Sequence, residues 1–103
     1  DCPVCNPNPL SAIHAAVTRQ RFDGTPKGGW YPEARIHTAE AVAAYTSIPA
    51  AVHQAHDIGS IAQGKKADLA VLSTNIFNES SLRSAQTIVD MTLFDGRIVY
   101  RSF

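Results

Sequence analysis

Two cysteines, four histidines and a scatter of acids are the residues through which this chain could do chemistry. Cys2 and Cys5 form a CxxC pair. A zinc site needs about four ligands, and no second CxxC or spaced histidine pair supplies the others. A redox dithiol places its first cysteine at a helix N-terminus after a strand, and Pro7 and Pro9 delay any helix here. The plainer reading is two free thiols in a loop. His53 and His56 share a predicted short helix at i, i+3, a spacing that could hold a metal ion. With no carboxylate or thiolate nearby, the pair makes a poor site. His14 falls on an apolar stripe and reads as a packed or hydrogen-bonded core residue, and His37 precedes a helix cap. Asp68, inside an apolar run, reads as a partner for backbone or an arginine. Lys65 and Lys66 read as turn solvation. Trp30 and Arg35 either shape a pocket or pack a loop, with packing the better account.

The elements that must position these residues change character near Asp57. Asn8 is a predicted N-cap with Pro9 at the first helical position, where its missing N–H costs nothing. Leu10, Ile13, His14 and Val17 then follow the i, i+3, i+4, i+7 spacing of a buried face. Arg19 and Arg21 suit the C-terminal end of the helix dipole, and Asp23-Gly24 ends the segment. Pro26, Gly28, Gly29 and Pro32 mark residues 25–36 as a loop anchored by Trp30 and Tyr31. Thr38 is the expected cap of a second helix, with Glu40 in its first turn and Ala41, Val42 and Tyr45 facing the core. Pro49 interrupts it, and a third short helix capped by Ser47 or Ile48 runs to about His56.

Beyond Asp57 the period becomes β-like. The run from Ala67 to Leu72, after the Gly64-Lys65-Lys66 turn, predicts a strand buried on both faces. Residues 74–85 are polar and irregular, with one helical turn expected over 80–84. Ile88–Phe94 and Arg97–Arg101 flank Asp95-Gly96, a pair that favours the positive φ angles of a type I′ turn, so a β-hairpin is predicted. The fold class is therefore α+β, with helices over 1–57 and a small antiparallel β part over 58–103. Three strands cannot close a sandwich, and an edge as apolar as Leu69–Leu72 invites another strand. The amphipathic helices also outsize the sheet that follows them.

Composition bounds the function classes. A chain of 103 residues makes at most one modest domain, and 45% hydrophobic with 17% charged residues is ordinary globular composition. Nine basic residues balance nine acidic ones, so nothing resembles the clustered Lys and Arg of a nucleic-acid or anionic-membrane surface. The apolar stretches fall far short of the ~20 residues that span a bilayer. A cytoplasmic location fits the cysteine usage.

Taken in order, several short motifs carry a resemblance. They are Asp1-x-Pro3-Val4, Pro9-Leu10-x-x-Ile13, Ala16-Val17-Thr18-Arg19 and Gly29-Trp30-x-Pro32-Glu33-x-Arg35. They continue as Thr38-x-Glu40-Ala41, Ala44-Tyr45-Thr46, Pro49-Ala50, Gly59-Ser60, Gly64-Lys65-x-Ala67-Asp68-Leu69 and Gly96-x-x-Val99-Tyr100. As an ordered set spanning almost the whole chain, they resemble the C-terminal end of the amidohydrolase superfamily, in its amidohydrolase family 3 branch. Cys2 stands where that branch commonly has a bulky residue, and Gln63 replaces part of a usual Glu-Pro before Gly64.

The resemblance implies a fold and a site. Such enzymes carry a metal centre, most often zinc, at the C-terminal mouth of a (β/α)₈ barrel, where barrel chemistry lives. Asp1 aligns with the aspartate that ends the eighth strand, where it would ligate the metal and accept a proton as water attacks a carbonyl. Residues 1–57 would be the helical end of the barrel, and 58–103 strands of a small sandwich built from both chain ends. The HxH pair, bridging residue and further histidines of the family are not in this sequence. With no methionine before Asp1, the chain reads as the last piece of a larger metal-dependent hydrolase acting on amide or related C–N bonds. On that reading its partner is the missing N-terminal part, and the isolated chain binds no cofactor and is inactive. The rival reading is a stand-alone binding or interaction domain derived from such an enzyme, able to form a homo-oligomer through its apolar edges.

Overall fold

The computed structural model describes residues 3–78 and 87–103. Its elements run α1 (Pro9–Thr18), a short 3₁₀ turn (Pro32–Ala34), α2 (Thr38–Tyr45), α3 (Ser47–Val52), β1 (Leu69–Leu72), β2 (Val89–Phe94) and β3 (Arg97–Arg101). This is an α+β chain with a three-stranded antiparallel sheet in the order β1-β2-β3.

α1 starts as its sequence requires. The Asn8 side chain accepts a hydrogen bond from the Leu10 N–H at 3.0 Å, and Pro9 occupies the first turn. The helix ends at Thr18, before the expected Asp23-Gly24. Arg19 adopts the left-handed conformation (φ 57°) and its N–H bonds the Ala15 carbonyl at 2.8 Å, which closes the last turn. Ile13 and His14 are buried on the predicted stripe, with Leu10 and Val17 packed beside them.

The second and third helices depart from expectation in their ends. His37 rather than Thr38 caps α2, and the Glu40 carboxylate accepts from the His37 N–H at 2.8 Å, half of a capping box. Ala41 is buried and Val42 packs against the core, but Tyr45 stays 51% exposed because, among the described residues, no strand packs over it. Thr46 caps α3, which stops at Val52 instead of reaching His56. Gln54 takes positive φ there, and the Gln54 and Ala55 N–H groups bond the Ala51 and Ala50 carbonyls at 3.0 and 2.8 Å. That reverse turn is a Schellman motif formed without glycine.

In the sheet, Asp95 and Gly96 have φ of 49° and 76°, the positive pair of a type I′ turn, and the hairpin forms as predicted. Val71 opposes Met91, Ala70 opposes Thr92 and Leu69 opposes Leu93. A bulge between Thr92 and Leu93 leaves Tyr100 opposite Thr92 and Ile98 opposite Leu93. The Asp68 carboxylate accepts the Asp95 N–H at 2.7 Å and the Ala67 carbonyl accepts that of Gly96, tying the start of β1 to the hairpin turn. β1 is not buried on both faces: Leu69 and Leu72 are half-buried, Leu72 against the helical core, but Ala70 and Val71 are exposed. The helical turn expected over 80–84 lies outside the described residues.

One small core joins the halves. Ile13 from α1, Ala41 from α2 and Ile76 from the segment after β1 form it, with Leu72 of β1 packed against them. Among the described residues, no helix packs over the rest of the sheet. The accessible surface is 7616 Å² for 11.1 kDa, against about 5,700 Å² expected for a folded monomer of that mass. The radius of gyration of 14.8 Å likewise exceeds the ~13 Å of a compact domain this long.

Candidate functional site

Asp1, the residue assigned to catalysis and to metal, lies outside the described residues, as does Cys2. The described chain takes up the path at Pro3. From there the segment is fastened to the start of α1. The Asn6 side chain accepts from the Asn8 N–H at 2.9 Å, and the Ser11 hydroxyl donates to the Asn8 carbonyl at 2.8 Å. Together with the Asn8 cap, these bonds fix where the helix begins and so where the preceding residues enter it. Cys5 is an exposed free thiol.

The other end of α1 organises an open cleft of about 560 Å³, lined by Ala15, Arg19, Gln20, Arg21, Thr25, Pro26 and Trp30. Its polar side chains are largely spent on the loop itself. The Arg19 Nε donates to the Trp30 carbonyl at 2.9 Å, the Trp30 N–H donates back to the Arg19 carbonyl at 2.8 Å, and the guanidinium sits 5.3 Å from the indole centroid. Gln20 Nε2 donates to the Gly24 and Pro26 carbonyls at 2.8 and 3.0 Å. Arg35 donates to the Gly28 carbonyl. Gly29 sits where a Cβ would come within 2.8 Å of the Thr18 carbonyl, so only glycine lets the loop lie this close to α1. Trp30 and Arg35 are therefore loop anchors, and the cleft holds no acid and base poised against each other.

The histidines do not converge. His14 is buried and stacks on Phe22 at 4.5 Å between ring centroids, with its Nε2 3.3 Å from the Arg21 carbonyl. His37 begins α2. His53 is the residue after α3 and His56 lies beyond its reverse turn, so the expected i, i+3 pair on one helix is not formed. Among the described residues, no group of three or more His, Cys, Asp or Glu could hold a metal ion. These residues do not fit a metal centre.

Among the described residues, Asp23 and Asp57 have shifted acidities, both for local reasons. The Thr25 hydroxyl and N–H, at 2.6 and 2.9 Å, hold the Asp23 carboxyl below its ordinary value. The Lys66 ammonium, 2.9 Å from Asp57, does the same to that carboxyl, and Asp57 raises the lysine in return. Lys66 is thus an ion-pair partner rather than turn solvation, and its N–H also donates to the Asp57 carbonyl at 2.8 Å. Lys65 Nζ donates to the Ile58 carbonyl at 3.1 Å. Sequence spacing carried no signal for this clasp, because eight residues of irregular loop separate its partners.

Comparison with known proteins covers the chain almost end to end. The amidohydrolase family matches residues 1–100. Protein LONG AFTER FAR-RED 3 of Arabidopsis thaliana is 36% identical over 103 residues, covering 97% of this chain and 17% of that protein. The chain thus spans about a sixth of the length of the curated relative it matches. No solved structure matches it. Among the described residues, no helix is long and apolar enough to cross a membrane.

Proposed function

This chain belongs to the amidohydrolase family, and we propose on that premise that it is the C-terminal portion of a metal-dependent hydrolase of amide or related C–N bonds. The observation that carries the reading is the family match over residues 1–100, joined to a relative of which the chain spans only 17%. In this reading residues 1–57 close a barrel, and 58–103 add strands to a small sandwich. Asp1 is the chain's chemical contribution, a carboxylate that takes a proton from the attacking water. The described residues contribute position: the Asn6–Asn8–Ser11 bonds set the start of α1, and α1 is held by Ile13 in the core. The rest of the reacting centre, a divalent metal (zinc by family habit) included, belongs to polypeptide outside these residues. The cytoplasm is the compartment this reading assigns.

The second reading, a stand-alone interaction domain, draws on the exposed apolar side chains of the sheet: Phe94 at 66%, Val99 at 61% and Tyr100 at 50%. Activity separates the two. In the longer polypeptide, Asp1→Asn lowers turnover of an N-acyl amide by about 10²- to 10⁴-fold while leaving the thermal midpoint unchanged. Full turnover in that variant removes Asp1 from the mechanism. The 103-residue chain alone, supplied with zinc, is expected to hydrolyse nothing. Chelator-sensitive hydrolysis by it would defeat the proposal that the site is completed elsewhere.

A further inference from the structure

The cleft at the end of α1 is built by its own segment. All of its lining residues fall between Ala15 and Trp30. The bonds that shape it run within that stretch: Arg19 with Trp30, Arg21 with Thr25, and Gln20 with Gly24 and Pro26. It therefore needs no further polypeptide to give it walls, unlike the sheet. At about 560 Å³ it has room for a small molecule.

Its chemistry is one-sided. Arg19 and Arg21 line it, and no acid does. The Arg19 guanidinium is fixed by its Nε bond to the Trp30 carbonyl and by the indole 5.3 Å away, which leaves its terminal nitrogens for a ligand. Among the described residues, no hydrogen bond uses the Arg21 guanidinium. The nearby Asp23 carboxylate is engaged by the Thr25 hydroxyl and N–H instead, at 2.6 and 2.9 Å. The Ala15 and Ala16 carbonyls near the end of α1 accept from the Arg19 and Ile36 N–H groups at 2.8 and 3.3 Å, so these two negative ends of the helix are spent. The remaining wall is apolar: Ala15, Pro26 and the Trp30 indole, which is 62% exposed.

A guanidinium fork matches the two oxygens of a carboxylate, and an indole beside a proline matches an aromatic ring. An inorganic anion would use the arginines and leave the apolar wall idle, and a neutral ring would do the reverse. We propose that this cleft binds a small aromatic carboxylate, with its oxygens on Arg19 and Arg21 and its ring against Trp30 and Pro26. The site stands apart from the hydrolase reading, because none of these residues is given a part in the reaction.

Trp30 is the single tryptophan of the chain, so its fluorescence reports the site. Titration with phenylacetate is expected to change it saturably. Phenylacetamide, the neutral isostere, binds at least about tenfold more weakly, and Arg21→Met raises the phenylacetate dissociation constant about fivefold or more. A second measurement uses the longer polypeptide, where other tryptophans do not interfere: phenylglyoxal labelling of Arg21, read by peptide mass, is slowed by phenylacetate and not by phenylacetamide. No saturable change, equal binding of the two compounds, or unchanged affinity in Arg21→Met overturns the proposal. So does an Arg21 that resists phenylglyoxal with no ligand added, because the rest of the longer polypeptide would then fill the cleft.

Discussion

The loop that follows α1 and the sheet that follows residue 68 are both exposed, yet they are finished to different degrees. From Arg19 to Arg35 the loop closes on itself. Arg19, Arg35 and Gln20 bond carbonyls of the same segment, and Gly29 lies against the Thr18 carbonyl. The sheet satisfies its ladder but leaves much of its side-chain surface uncovered, with β2 half-buried and β3 exposed throughout. Polar satisfaction is local and can be completed within a few residues. Apolar burial is not local, because it needs a second layer. The loop therefore carries its own reasons for being where it is, and the sheet presents surface for something else to cover.

The largest effect is expected where α1 and α2 meet the sheet side of the chain. Ile13 is 5% exposed and touches the cluster that Ile76 and Leu72 reach from the sheet side. Ile13→Ala lowers stability by about 2–5 kcal/mol, read as a fall in the urea midpoint. Val99→Ala, at a position 61% exposed, changes it by less than about 0.5 kcal/mol. Equal losses at the two sites would mean that the sheet is packed in solution and that the contrast between the regions is false.

A smaller effect tests the closeness of the loop. Gly29 and Gly64 share the same unusual backbone, with φ of 91° and 85°. They differ in surroundings: a Cβ on Gly29 meets the Thr18 carbonyl at 2.8 Å, and one on Gly64 meets nothing within 4 Å. Gly64→Ala is expected to cost about 1–2 kcal/mol, from conformation alone. Gly29→Ala costs roughly 2–4 kcal/mol, because the loop must also lift from α1. Chemical denaturation of the pair isolates the contact from the φ penalty, and equal costs would show that the loop does not press on the helix.

How far this was legible follows the same division. The start of α1 could be read from Asn8-Pro9 and its buried face from Leu10, Ile13, His14 and Val17, since capping and periodicity are written within one turn. The hairpin could be read from Asp95-Gly96 for the same reason. The end of α3 could not: Gln54 adopts a conformation that glycine would have announced, and two backbone bonds hold it there. Tyr45 and β1 were misread because the apolar pattern tells which face wants cover, not whether cover is present. At the candidate site, Asp1 could be named only from the ordered family motifs and lies outside the described residues. The Arg19–Trp30 clamp joins residues whose meeting depends on the loop's whole path, and no spacing encodes that.

The finest distinction is between two carboxylates, one in the loop after α1 and one in the loop before β1, both with pKa held below the ordinary value. Asp23 owes this first to the Thr25 hydroxyl and N–H, whereas Asp57 owes it to the Lys66 ammonium. A depressed folded-state value means the unfolded chain binds the proton more tightly, so each group stabilises the fold above its ordinary value of 3.8. That contribution is lost as pH falls through the lower folded value. Both therefore steepen the acid limb of a stability–pH curve, slightly, because both sites face solvent. Salt separates them. An ion pair is screened and a neutral donor is not, so Lys66→Met should remove the salt-sensitive part of the acid limb, and Thr25→Ala the salt-insensitive part. Thermal midpoints between pH 2 and 5, taken at low and high salt, check this. If Lys66→Met left the salt dependence intact, the Asp57–Lys66 clasp would not persist in solution. The loop before β1 would then lack the local closure that the Arg19–Arg35 loop has.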